Sequence, residues 1–317
     1  MRITTLIFFI AFSFLSFNSA RSQDVIDTGI VVNQLFQQGF DAIYRYNFPK
    51  ADSIIKHMRD KHGEEVQTYF LSTNYYWWLL VTGKDIPSTR ERFYDNLEVM
   101  LTILDSNTMN REPNNDEIYN YVIVYGFKAR LEVLHRKYFK AIRYLDDCID
   151  YIKRSFNKED EYPFFYLTSG LYNFNMHYTI KNYPFLIFAN WFYPKGDREK
   201  GLEQLAYSAS HEDPILWTEG NYFSGRIYLE LEKDFDKAKI HIENLLHRYP
   251  QNPFYRYMNF QNYLWEGQGD NAKDQLMIMR VYMEENKRLE EWQKAYFLDL
   301  AVDELKEHRN KEIKNNQ

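Results

Sequence analysis

The sequence predicts an all-α fold, an α-solenoid of about six antiparallel helix pairs closed by a C-terminal capping helix. Three observations point there. Ala238 and Ala272 occupy the same setting 34 residues apart, the period of a stacked helix–turn–helix array. Asp213-Pro214 and Asn252-Pro253 each place a capping side chain directly before a proline, the pattern of a helix start. Strand signals are weak: Gly and Pro punctuation is sparse and β-branched alternation is nearly absent. The 27 Tyr and 24 Phe suit the large gaps between paired helices.

The elements follow in order. Residues 1–22 read as an export signal: Arg2, then an apolar run over 6–17, then Ala20-Arg21-Ser22 with small residues before Gln23. That run is shorter than the roughly 20 apolar residues of a membrane span. Helices are expected over 26–46 and 50–61, separated by Asn47-Phe48-Pro49, with Gly39 and Ala51 as small contact positions. A second pair covers 65–81 and 88–104, a third 115–135 and 138–155. The fourth joins 163–179 to 197–210 across an insertion at 181–196, with Gly201 at a site of close helix approach. The fifth covers 213–231 and 235–247, turning at Lys233-Asp234. The sixth runs from Asn252-Pro253 to Trp265 and, after Gly267-Gln268-Gly269-Asp270, to about 285. A final helix over 289–307 has a polar outer side, as an array terminus needs. The expected organisation is thus a leader (1–22), one repeat domain (23–309) and a polar tail (310–317).

These positions resemble the tetratricopeptide-repeat superfamily. The pair at Ala238 supplies Tyr222, Leu229, Phe235 and Pro250, but Arg226 where a small residue is usual. The pair at Ala272 supplies Tyr263 and Gly267, with Phe260 at the small site; the pair at Ala141 supplies Tyr125, Ala129 and Tyr138. The likeness is strongest over 197–285. The stretch Ser169-Gly170-Leu171-Tyr172-Asn173, then Pro184, then Trp191 through Leu205, resembles a mostly uncharacterised branch of exported bacterial repeat proteins. The resemblance implies a TPR-like superhelix with a concave groove.

Composition narrows the function. The net charge is −6, and it moves to −8 once Arg2 and Arg21 leave with the leader, so the electrostatic footprint of a nucleic-acid binder is missing. The single cysteine, Cys148, lies on an apolar helical stripe and reads as a small core side chain. The eight histidines show no ligand spacing: His57 and His62, or His241 and His247, fall off a common helical face. No metal, cofactor, nucleophile elbow or phosphate loop is expected.

The expected function is an exported, non-catalytic binding or scaffold module. It would hold a protein or peptide partner in the envelope, periplasmic or outer-membrane-associated, of a Gram-negative bacterium. The usual inward positions of a repeat groove are Phe36, Phe40, Tyr44, Arg130, Phe223, Ile227, Glu230, Tyr257, Gln261 and Trp265. An alternative is a helical toroid that acts on or binds polysaccharide, with Asn173, His177 and Tyr178 as its polar centre; Asn173 and His177 are four apart on one helical face. A third expectation places membrane or outer-membrane-complex contact on Phe185, Phe188, Trp191 and Phe192.

Overall fold

The computed structural model describes residues 23–63, 65–183, 191, 193–287 and 289–315, with side chains between 31 and 310. The expected leader and Phe185, Phe188 and Phe192 of the insertion lie outside the described residues. The described chain is all-helical, with thirteen α-helices and no strand. They are α1 (Gln23–Tyr44), α2 (Phe48–His62), α3 (Val66–Val81), α4 (Pro87–Thr108), α5 (Asn115–Leu134), α6 (Tyr138–Ser155), α7 (Phe164–Asn182), α8 (Arg198–Ser210), α9 (Pro214–Ile227), α10 (Phe235–Arg248), α11 (Pro253–Trp265), α12 (Gly269–Glu285) and α13 (Glu291–Asn315). A π-helical turn, Tyr228–Glu232, extends α9.

Local chemistry sets the starts. Asn114 and Glu117 form a reciprocal capping box on α5, each bond 2.9 Å. Asp213 Oδ1 accepts from the Ile215 and Leu216 amides at 2.8 and 3.0 Å. Asp197, Asp234 and Asn47 cap α8, α10 and α2 in the same way. Asn47 corrects one expected boundary: α2 begins at Phe48, because Pro49 fits a first helical turn, where its missing N–H has no partner to lose. At the other end, α13 continues to Asn315, into the stretch read as a polar tail.

The chain forms two compact units. Unit 1 takes the described residues of 1–34, 64–70 and 94–224; unit 2 takes those of 35–63, 71–93 and 225–317.

In unit 1, α5 is buried along nearly its whole length from Glu117 to Val133. It packs against α6, whose buried face is Ala141, Leu145, Cys148, Ile149 and Ile152. The Cys148 thiol donates to the Val122 carbonyl at 3.4 Å, and burial pushes its pKa up, so it is an inert core side chain. Helices α7 and α8 meet where Gly201 faces Gly170. A Cβ on Gly201 would stand 2.6 Å from the Phe174 nitrogen and 2.8 Å from the Gly170 oxygen, so only glycine permits this approach.

In unit 2, residues far apart in sequence meet. Asn252 caps α11 through its Oδ1, which accepts from the Phe254 and Tyr255 amides. Its Nδ2 donates to the Tyr44 carbonyl, 208 positions away, at 2.8 Å. That carbonyl lies in the last turn of α1 and would otherwise lack a helical partner. Around it, Tyr44 packs on Trp78 and Tyr249, and Trp78 packs on Phe254 and Tyr255, with ring centroids 5.5–6.2 Å apart. Each such pair is worth about 0.5–1.5 kcal/mol beyond area burial. In an array where every pair touches only its sequence neighbours, the contacts of Tyr44 with Tyr249 and Asn252, and of Trp78 with Phe254 and Tyr255, would not exist.

Candidate functional site

The residues expected to line a groove are placed as follows. Phe36, Phe40, Tyr44, Arg130, Phe223, Ile227 and Gln261 are buried; Glu230, Tyr257 and Trp265 are partly so. Phe36 meets Phe40 edge-on and Phe40 meets Tyr44 at a tilt along α1 inside unit 2. In unit 1, Arg130 and Phe223 come together, the guanidinium 5.9 Å from the ring centroid. Arg226 and Glu230 form an ion pair in unit 2, and burial raises the Glu230 pKa, against the pull of Arg226 and Lys233.

Tyr257, Gln261 and Trp265 share one face of α11, and all three point their donors at Glu304 of α13. The Tyr257 hydroxyl donates at 2.8 Å, the Trp265 indole N–H at 2.9 Å and the Gln261 amide at 3.2 Å. Burial, with Glu304 beside it, drives the Tyr257 pKa up. Lys233, left-handed at φ 57° after the π turn, holds its ammonium 4.5 Å from the centre of the Trp265 ring. This strip of α11 is therefore covered by the chain's own terminal helix, with a carboxylate matched to three donors.

The second set separates. Asn173 is buried and turns its amide to Gln204 on α8, at 2.8 Å. Tyr178 lays its ring parallel to Phe174. Among the described residues no side-chain hydrogen bond links Asn173 to His177, so a proton relay between their side chains lacks its first step. Trp191 is 84% exposed. The returning chain after it is pinned to α7 by the Tyr172 hydroxyl, which donates to the Pro194 carbonyl at 2.6 Å. It also lies so close at Gly196 that a Cβ would stand 2.5 Å from the His177 nitrogen.

Unit 1 has an open depression of about 510 Å³, lined by Asn157, Glu159, Asp160, Tyr166, Lys200, Glu203, Gln204 and Tyr207. The α6–α7 turn supplies its first wall. Asn157 takes a left-handed φ of 64°, a conformation asparagine tolerates, and reverses the chain after α6. The amides of Lys158, Glu161 and Tyr162 then tie the turn to the Ser155 and Lys158 carbonyls. Helix α8 supplies the other wall: Lys200, Glu203, Gln204 and Tyr207 fall at i, i+3, i+4 and i+7, one helical face.

The base of this site is a chain of buried amides. Gln204 receives a hydrogen bond from Asn173 and passes one on, its Nε2 donating to Glu159 Oε1 at 3.1 Å. Glu159 is only 8% exposed, and no described residue donates to its second oxygen. The Tyr166 and Tyr207 rings stack, centroids 4.0 Å apart, and Tyr207 remains 43% exposed. Tyr166 donates to Asp160 Oδ1 at 2.5 Å, and that bond, with some burial, pushes its pKa up to about 12. Lys200 and Glu203 carry no ion pair among the described residues. Three carboxylates thus face one ammonium beside an aromatic pair.

Asn173, expected in a polar centre, lies one layer behind this site, while no expectation falls on the lining itself. Its signals were an acidic turn, Lys158-Glu159-Asp160-Glu161, and the Lys200-to-Tyr207 stripe. Each reads alone as a solvated surface; their convergence is tertiary.

No group of three or more His, Cys, Asp or Glu side chains stands together as metal ligands among the described residues. No helix among them is long and apolar enough to cross a membrane. Comparison of the chain with protein families, characterised proteins and solved structures finds no match.

Proposed function

We propose that the protein is an exported, non-catalytic binding module of the cell envelope, built on TPR-like antiparallel helix pairs, that holds a protein or peptide partner. The observation that carries the reading is the unit 1 depression: a recess with an aromatic wall and carboxylates that form no ion pair among the described residues, held from behind by Asn173 and Gln204. A preformed recess of this kind lowers the ordering cost of binding. The expected groove on α11 does not serve this role while Glu304 occupies its donors.

The test is affinity capture from envelope extract with the wild-type chain and a Glu203→Lys, Tyr207→Ala variant. Both substitutions are at exposed positions, so the fold should persist. A partner retained by wild type and lost by the variant supports the reading. Identical captured sets from the two proteins sink it. A second reading, polysaccharide binding, is favoured by the exposed face of the Tyr166–Tyr207 pair, since sugar faces pack on aromatic rings.

A further inference from the structure

We infer that the unit 1 depression is a guanidinium site, receiving an arginine side chain of the partner; the inference rests on the binding-module reading and names the group that is bound. Four features of the lining specify the chemistry. The charge balance is negative, so an anionic or carboxylate-bearing group would meet Glu159, Asp160 and Glu203. Glu159 is more than nine-tenths buried and has one oxygen fixed by Gln204 and one without a donor. That second oxygen lies in the lining of the open recess, where it can accept from a charged donor on a ligand.

The stacked tyrosines distinguish between cations. Guanidinium is planar and weakly hydrated, stacks on aromatic faces and offers several N–H donors in a fixed fork, whereas ammonium is a strongly hydrated point charge. A recess with an aromatic wall on one side and carboxylates from two separate elements, the α6–α7 turn and α8, matches the planar fork. Lys200, at the rim, supplies the repulsion that disfavours a partner with several adjacent basic residues. The Asn173–Gln204–Glu159 chain fixes the acceptor before the ligand arrives.

The test is calorimetric titration of the full chain with an end-blocked pentapeptide, Ala-Ala-Arg-Ala-Ala, and with its citrulline, lysine and glutamate counterparts. The arginine peptide is expected to bind saturably, and more weakly at high salt. The citrulline peptide, which keeps the shape and loses the charge, is expected to bind at least about tenfold more weakly. Glu159→Gln keeps an acceptor for Gln204 Nε2, so the fold is retained while the charge is removed; arginine affinity is expected to fall about tenfold. Unchanged melting of Glu159→Gln, checked by circular dichroism, makes that loss a loss of binding and not of structure.

Equal binding of arginine and citrulline peptides overturns the inference. So does binding of a neutral oligosaccharide that competes with the arginine peptide and is indifferent to Glu159→Gln. Envelope capture that depends on Tyr207 without any arginine selectivity would sink the guanidinium site and leave the binding module standing. Failure of both capture and peptide binding would sink both.

Discussion

Two clusters in this protein use the same parts to opposite ends. In unit 2, Tyr257, Gln261 and Trp265 converge on Glu304, and the carboxylate finds its donors within the chain. In unit 1, tyrosines and carboxylates are again brought together, but Glu159 has a single donor and Glu203 has no counter-ion among the described residues. The first arrangement holds a terminal helix in place; the second leaves carboxylate oxygens facing an open recess with no donor among the described residues. The lesson is that residue type did not separate structure from site. Completeness of pairing did, because a buried or half-buried polar group left unmatched is expensive unless water or a ligand completes it.

The largest expected effect tests the closed cluster. Glu304→Ala should strip the acceptor from three donors at once and destabilise unit 2 by about 2–3 kcal/mol, read by urea denaturation. A loss below 0.5 kcal/mol, the size of an ordinary surface change, would break the comparison.

The next effect concerns pH and two adjacent carboxylates on the first turn of α5. Burial raises the Asp116 pKa from 3.8 to about 6, with Tyr162 opposing and Glu117 adding to the rise. Stability from this group is complete below its unfolded pKa and is lost as pH rises through about 6. Glu117 runs the other way. Burial opposes ionisation, but Arg111 and the Asn114 amide hold its pKa below the usual carboxylate value. Its contribution is present above the unfolded value, 4.5, and is lost as pH falls through the folded one. Asp116→Asn should therefore stabilise unit 1 at neutral pH, by about 2 kcal/mol, and far less near pH 4. A pH-independent change in melting temperature would contradict this.

Asn173→Leu removes the donor that orients Gln204 and should cost about 1–2 kcal/mol while also weakening arginine-peptide binding. The two losses should appear together, since one hydrogen bond serves both fold and recess; binding that survives intact would detach the buried amides from the site. The smallest effect sharpens the contrast with Glu304. Glu203→Gln, on the open recess, should change stability by less than about 0.5 kcal/mol yet reduce peptide affinity measurably.

Much of this architecture was legible one element at a time. Asp213 and Asn252 announced helix starts, and each caps one; Asp234, read as part of a turn, also caps a helix. Gly201 marked a close approach, which Gly170 and Phe174 provide. Cys148 sat on an apolar stripe and is buried in the α5–α6 core. The π turn at Tyr228–Glu232 was not legible, because it ends its helix at Lys233 and no periodic residues follow to reveal the shifted phase. Nor was the fate of Tyr257, Gln261 and Trp265: sequence placed them on one helical face without saying what covers that face.

Helicity and most helix starts follow from the amino-acid order alone, because caps, prolines and apolar periodicity act within a few residues of backbone. Which carboxylates are answered and which remain open is settled by the packing of the helices. That depends on segments such as Glu159 and Gln204, 45 positions apart, or Tyr44 and Asn252, 208 apart, reaching hydrogen-bond distance. No local rule encodes such meetings, since the free energy that fixes them comes from the packing of whole helices.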